Sequence, residues 1–222
     1  MAEALRIAIV GAESTGKSTL ALALAEALAE ATALPCVAVP EWLRDWCARA
    51  GRTPRPEEQA AIAAEQQARI EAAAARHAIV VCDTTALMTA VYSRLLFDDR
   101  ALEAQALQWQ RGAALTLLTA PDLPWEPDGL QRDGPHVQAP VDRMLRQLLV
   151  AHGLPWAPVA GAGPARLQRA LDAVAPQVRA LPAPRQGLFT RLAERNAAPA
   201  GRPWRCATCD DPDCEHRLRR AG

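Results

Sequence analysis

The chain has 222 residues, half of them apolar, and its 25 acidic side chains are balanced by 25 basic ones. A neutral balance argues against a strong general affinity for nucleic acid or anionic lipid. No stretch reaches the run of about 18 uncharged apolar residues that a membrane span requires.

MAEALRIAIV lacks the basic, apolar and cleavage-site succession of a secretory signal, so the cytoplasm is the expected compartment. LRIAIVG is a short, β-branched apolar run that stops at glycine, and STLALALAEALAEA follows with leucine and alanine at helical spacing. CVAV at 36–39 is a second buried strand, and EWLRDWCARA after it places Trp42, Trp46 and Cys47 on one helical face. A long Ala/Glu/Gln/Arg helix runs from Pro56 to about Arg76, with proline at a favourable first-turn position. AIVVC at 78–82 and AALTLL at 113–118 give the third and fourth strands, and APVAG at 157–161 a weak fifth. Residues 120–140, crowded with proline, glycine and aspartate, read as a long loop that is either a functional lid or disordered. PVDRMLRQLLVAHG is a helix ending at Gly153, and ARLQRALDAV another, broken by Pro176. Strands alternating with helices predict a parallel five-stranded sheet covered on both faces. The expected domains are residues 1–180, a linker with a short helix at 181–198, and a tail at 199–222.

GAESTGKST fits G-x-x-x-x-G-K-S/T through Gly11, Gly16, Lys17 and Ser18, between a strand and a helix as the motif requires. Such a loop curls backbone N–H groups around phosphate oxygens at a helix N-terminus, where partial positive charge already favours an anion. Gly11, Glu13, Ser14, Thr15, Gly16, Lys17, Ser18 and Thr19 are therefore the expected ATP-binding residues. Lys17 would bridge the β- and γ-phosphates and the Ser18 hydroxyl would hold Mg²⁺. Lys17 is the chain's lone lysine; every other cationic side chain is arginine. A compact ammonium on a flexible stem suits a phosphate cradle better than a planar fork.

Ligands of open α/β sheets gather beyond the carboxyl ends of the strands. Asp83, closing AIVVCD, reads either as a Mg²⁺-associated aspartate or as an N-cap for the helix that follows. Glu41 reads either as a base for an attacking hydroxyl or as a solvated surface charge. In the lid, Trp125 could stack on a substrate ring and Arg132 could neutralise transferring charge, against an ordinary solvated arginine.

GAESTGKST, PEWLRDW, CDTTALMTAVY and APDLPWEPDGLQRDGP, in that order, resemble the ribosylnicotinamide kinase domain of the bacterial NAD-biosynthesis regulator family and the AAA-like P-loop ATPases grouped with it. The resemblance covers roughly residues 5–175. It implies an α/β P-loop NTPase fold, nucleoside-kinase-like, and ATP-dependent transfer to the 5′-hydroxyl of nicotinamide riboside or a related nucleoside. Glu41, Trp42, Arg44 and Asp45 would lie near the ribose, Asp83 and Thr84 near the metal and acceptor hydroxyl, with Tyr92 beside them and Trp125 and Asp128 in the lid. Trp42 and Asp45 stand where the family more usually has tyrosine and glutamate, and Thr85 where it has aspartate. The other reading is a nucleotide-dependent switch acting with a macromolecular partner.

Cys36, Cys47 and Cys82 read as small buried hydrophobes. Cys206, Cys209, Cys214 and His216 are spaced C-x2-C-x4-C-x-H, a ligand set for structural, tetrahedral Zn²⁺, against a disordered acidic tail. ATP, Mg²⁺ and this zinc are thus the expected cofactors.

Overall fold

The structure, a computed structural model, describes residues 3–127 and 134–181. The expected lid residues Asp128 and Arg132, the zinc ligands Cys206, Cys209, Cys214 and His216, and all of the linker and tail beyond Leu181 lie outside the described residues.

Five strands, β1 (Leu5–Val10), β2 (Cys36–Val39), β3 (Ile79–Asp83), β4 (Leu115–Thr119) and β5 (Trp156–Val159), form one sheet. Their order is β2-β3-β1-β4-β5, and every pairing is parallel. The short apolar runs read from the sequence are these strands, to within two residues at each end. β1, β3 and β4 are buried nearly throughout, as expected for strands covered on both faces.

Seven helices complete the described chain: α1 (Lys17–Thr32), α2 (Trp42–Ala50), α3 (Gln59–Ala74), α4 (Ala86–Phe97), α5 (Glu103–Gln110), α6 (Gln138–Ala151) and α7 (Gly163–Arg179). Side chains alternate between faces along each strand. Val80 and Cys82 of β3 pack with Ile70 and Ala73 of α3. On the same face, Val10 and Leu118 pack with Leu87 and Val91 of α4 and with Val141, Leu145 and Leu149 of α6. The intervening positions, such as Ile9, Val81 and Leu117, are fully buried beneath the opposite layer, where α1 lies over β2 and β3 and α7 over β4 and β5. Cys47 and Cys82 are buried and Cys36 half-buried. Burial pushes the Cys82 thiol up to about 12.

Two expectations are corrected. The helix expected from Pro56 begins as a short 3-10 turn, Pro56–Glu58, held by Arg52 against Glu58 at 2.7 Å, and becomes α-helical at Gln59. Pro176 does not break α7, which runs through it to Arg179. Leu171, Val174, Ala175 and Val178 are buried on either side of the exposed ring, so tertiary packing outweighs the lost hydrogen bond. Pro176→Ala restores a donor toward the carbonyl one turn earlier. It is expected to stabilise the protein by about 1 kcal/mol, after offsetting the greater freedom of the unfolded chain. Urea denaturation measures this, and a lowered midpoint contradicts it.

Candidate active site

β1 ends at Val10, and the chain leaves it through Gly11 with φ +152°. A Cβ here would overlap Thr119 Oγ1 and sit 2.9 Å from the Thr119 carbonyl oxygen, so only glycine fits. The buried Thr119 Oγ1 lies 3.2 Å from Val10 O and shares a 2.7 Å hydrogen bond with Thr15 Oγ1. Thr15 Oγ1 also donates to Ala12 O at 2.7 Å. Ser14 (φ 57°) and Gly16 (φ 73°) are left-handed. This alternation forms an anion-binding nest at the head of α1. Lys17 opens α1, and its Nζ donates to Ala12 O at 2.8 Å, holding the ammonium at the mouth of the loop. Ser18 and Thr19 follow on the first turn of the helix.

Beyond β2 and β3 stand the two carboxylates read from the sequence. Glu41 is the N-cap residue of α2, and its side chain is 16% exposed, with Arg44 Nη2 3.6 Å away. Burial raises its pKa above the ordinary carboxylate range; Lys17 opposes the rise, Asp83 adds to it, and Arg44 opposes it. Glu41, Lys17 and Asp83 thus share one electrostatic neighbourhood. Asp83 closes β3 and is 4% exposed. It does not cap α4, because Thr85 holds the N-cap position. Asp83 Oδ1 is buried with no hydrogen-bond partner among the described residues. An unsatisfied buried carboxylate oxygen beside the phosphate loop fits magnesium or one of its waters.

Thr84, between them in sequence and buried, is left-handed at φ 66°, with its N–H donated to Ile9 O at 3.0 Å. A β-branched residue in that conformation is strained, and such strain gathers at working sites. Thr84 lines a small cleft with Glu41, Leu43, Gln66, Met88 and Tyr92. Through Leu43, Thr89 and Tyr92 that cleft adjoins a groove of ≈ 880 Å³ ending at Leu96 and Phe97. Thr85 is committed elsewhere: its hydroxyl donates to Gln110 Oε1 at 2.7 Å, and Gln110 Nε2 donates to Thr116 Oγ1 at 2.8 Å. Trp42 and Asp45 are engaged with α3. The Arg69 guanidinium lies 3.9 Å from the Trp42 ring centre and 3.8 Å from the Asp45 carboxylate.

On the other side of the loop, Gly16, Thr19, Leu20, Leu123, Pro164 and Leu167 wall a mostly apolar groove of ≈ 790 Å³. A flat heterocycle attached to phosphates in the nest would lie there. Its deep wall is Arg166, 3% exposed. The guanidinium donates to Asp122 Oδ1 at 3.0 Å, Gly161 O at 2.9 Å and Ala120 O at 2.9 Å. It fastens the exit of β4 to the loop between β5 and α7.

A family model described as an AAA domain matches residues 6–166, from β1 to that arginine. The chain belongs to the AAA domain family. Among solved structures, this AAA domain shares its fold with NadR protein in complex with NR, at TM-score 0.61 and 20% identity, over 83% of this chain and 54% of that one. NadR in complex with NAD and AMP-PNP gives 0.59 and 20% over 82% and 52%, so the chain spans about half the length of the NadR chains. Thymidylate kinase from Ehrlichia chaffeensis gives 0.52 and 13%, over 78% of this chain and 100% of that one. No curated protein matches in sequence. The likeness expected from the four motifs therefore holds for the fold, a parallel α/β sheet of the P-loop kinase kind. No helix among the described residues is long and apolar enough to cross a membrane.

Sequence reasoning missed Thr119 and Arg166. Thr119 follows the same strand-end rule that found Glu41 and Asp83, whereas nothing marks Arg166 among so many arginines. The ion pair it makes is asymmetric, with side-chain exposures of 4% for Arg166 and 35% for Asp122. Asp122→Ala leaves a buried guanidinium uncompensated and is expected to cost about 3 kcal/mol. Arg166→Met leaves a carboxylate that can reach water and costs about 1–2 kcal/mol. Denaturant titration of both variants checks the order, and the reverse order contradicts the assignment.

Proposed function

We propose that this AAA domain is an ATP-dependent small-molecule kinase, transferring the γ-phosphoryl group to the 5′-hydroxyl of nicotinamide riboside or a related nucleoside. The observation that carries the reading is the convergence of Glu41 and Asp83 on Lys17, with Glu41 lining a small cleft that adjoins a larger groove through Leu43, Thr89 and Tyr92. A nucleotide switch needs no carboxylate of raised pKa at that place. NadR's complexes with NR and with AMP-PNP support a nucleoside acceptor and an ATP donor.

The nest and Lys17 bind the phosphates, and the apolar groove beside Thr19 takes the base. Ser18 and Asp83 are the residues that would hold magnesium, which would supply neutralisation of phosphate charge. Glu41 accepts the proton of the acceptor hydroxyl as its oxygen bonds to the γ-phosphorus; the bond to the β,γ-bridging oxygen breaks and ADP leaves. Thr84 and Tyr92 line the acceptor's approach. Trp125, Asp128 and Arg132 are the lid residues of this reading, taken from the sequence motif. Residues 1–180 form the kinase unit in this reading, with a zinc-holding tail at 199–222.

Glu41→Gln tests the assignment. Turnover is expected to fall by about 100-fold or more while the KM for ATP changes little, because a base acts only as the hydroxyl attacks. Only the carboxylate form takes a proton, so wild-type kcat/KM falls as pH drops through the raised pKa. That acid limb lies above the usual glutamate value of about 4.3 and is absent from the Gln variant. Unchanged turnover, or an unchanged limb, returns Glu41 to the surface-charge reading.

A further inference from the structure

Two residues of the phosphate loop look away from the nest. Glu13 is 6% exposed. Its Oε1 accepts the Gly134 backbone N–H at 2.9 Å and the Trp125 indole N–H at 3.4 Å. Its backbone carbonyl accepts Gln138 Nε2 at 2.9 Å. The neighbouring Ser14 Oγ accepts the Glu126 N–H at 2.8 Å and donates to Pro124 O at 3.4 Å. The loop is thereby bonded to two stretches far along the chain, Pro124–Glu126 and Gly134–Gln138.

Ser14 is also the loop's left-handed non-glycine residue, at φ 57°. An L-residue does not hold that conformation without support. The support comes from hydrogen bonds on Ser14 itself and on Glu13 beside it. A carboxylate next to a triphosphate would be repelled by it. Here the Glu13 Oε1 accepts a backbone and an indole N–H, which ties the loop to both stretches.

We propose that Glu13 is a positioning residue: it fastens Trp125 and Gly134 to the phosphate loop, so that the anion-binding shape of the loop and the placement of the two stretches are kept together. The catalytic consequence rests on the kinase reading; the fastening does not.

The full chain is compared with Glu13→Ala and Glu13→Gln. Hydrogen exchange at the Gly134 amide, followed by NMR without nucleotide, is expected to quicken about tenfold or more in the Ala variant. The Gln variant retains an acceptor oxygen and is expected to stay within about threefold of wild type. In turnover, Glu13→Ala should lower kcat by about tenfold with the KM for ATP shifted less than about threefold, and Glu13→Gln should restore kcat. Should the Ala variant not fold, Trp125→Phe, which removes one donor and keeps a ring, should by itself quicken Gly134 exchange about threefold. Unchanged exchange in the Ala variant overturns the proposal, as does a Gln variant as impaired as Ala. Exchange that responds as expected in a protein that phosphorylates no acceptor upholds the fastening and overturns the kinase reading.

Discussion

Gly11 meets Thr119 with no room for a side chain between them. That approach pins the start of the phosphate loop to the end of β4. It also brings the Thr119 hydroxyl to Val10 O and Thr15 Oγ1. Thr15 in turn shares Ala12 O with the Lys17 ammonium. The lysine is thus placed by a chain of short contacts that begins at one missing methyl group. β1 is the middle strand, bonded to β3 on one side and β4 on the other. The loop therefore leaves the most enclosed strand end in the sheet, with Asp83 and Thr119 as its immediate neighbours.

The chain is formally neutral, yet Lys17, Glu41 and Asp83 interact within one partly dry site. Burial holds Glu41 closer to protonation than a surface carboxylate, while Lys17 pulls the other way. In the proposed reading, that balance suits a group that takes up a proton and gives it back. An arginine at position 17 would bring the same charge on a rigid fork, which a backbone cradle of this size does not fit. In the proposed reading, that is what a lysine at position 17 serves in an otherwise arginine-based chain.

Much of this architecture was legible because it rests on local patterns. Apolar runs of four to six residues mark buried parallel strands, and the glycine spacing marks the loop. The strand-end rule found Glu41 and Asp83. What was not legible depends on contacts distant in sequence. α5 carries Gln110 on its inward side, serving Thr85 and Thr116, so it lacks an apolar stripe to announce it. Pro176 reads as a breaker until the buried face on both sides of it is seen. Glu13 reads as part of a nucleotide-binding motif, and its hydrogen bonds to Trp125 and Gly134 come from more than a hundred residues away. Trp42 carries the Arg69 guanidinium over its ring, a contact from α3 that its own segment does not reveal.

The central claim is that the groups gathered around Lys17 move a phosphoryl group to a small hydroxyl acceptor. Phosphorus NMR of the wild-type protein with ATP, magnesium and nicotinamide riboside tests it most directly. The account predicts a phosphomonoester signal on the nucleoside, growing in step with ADP and absent without acceptor. ADP and inorganic phosphate appearing at the same rate with or without nicotinamide riboside and other nucleosides, with no phosphomonoester, would contradict it.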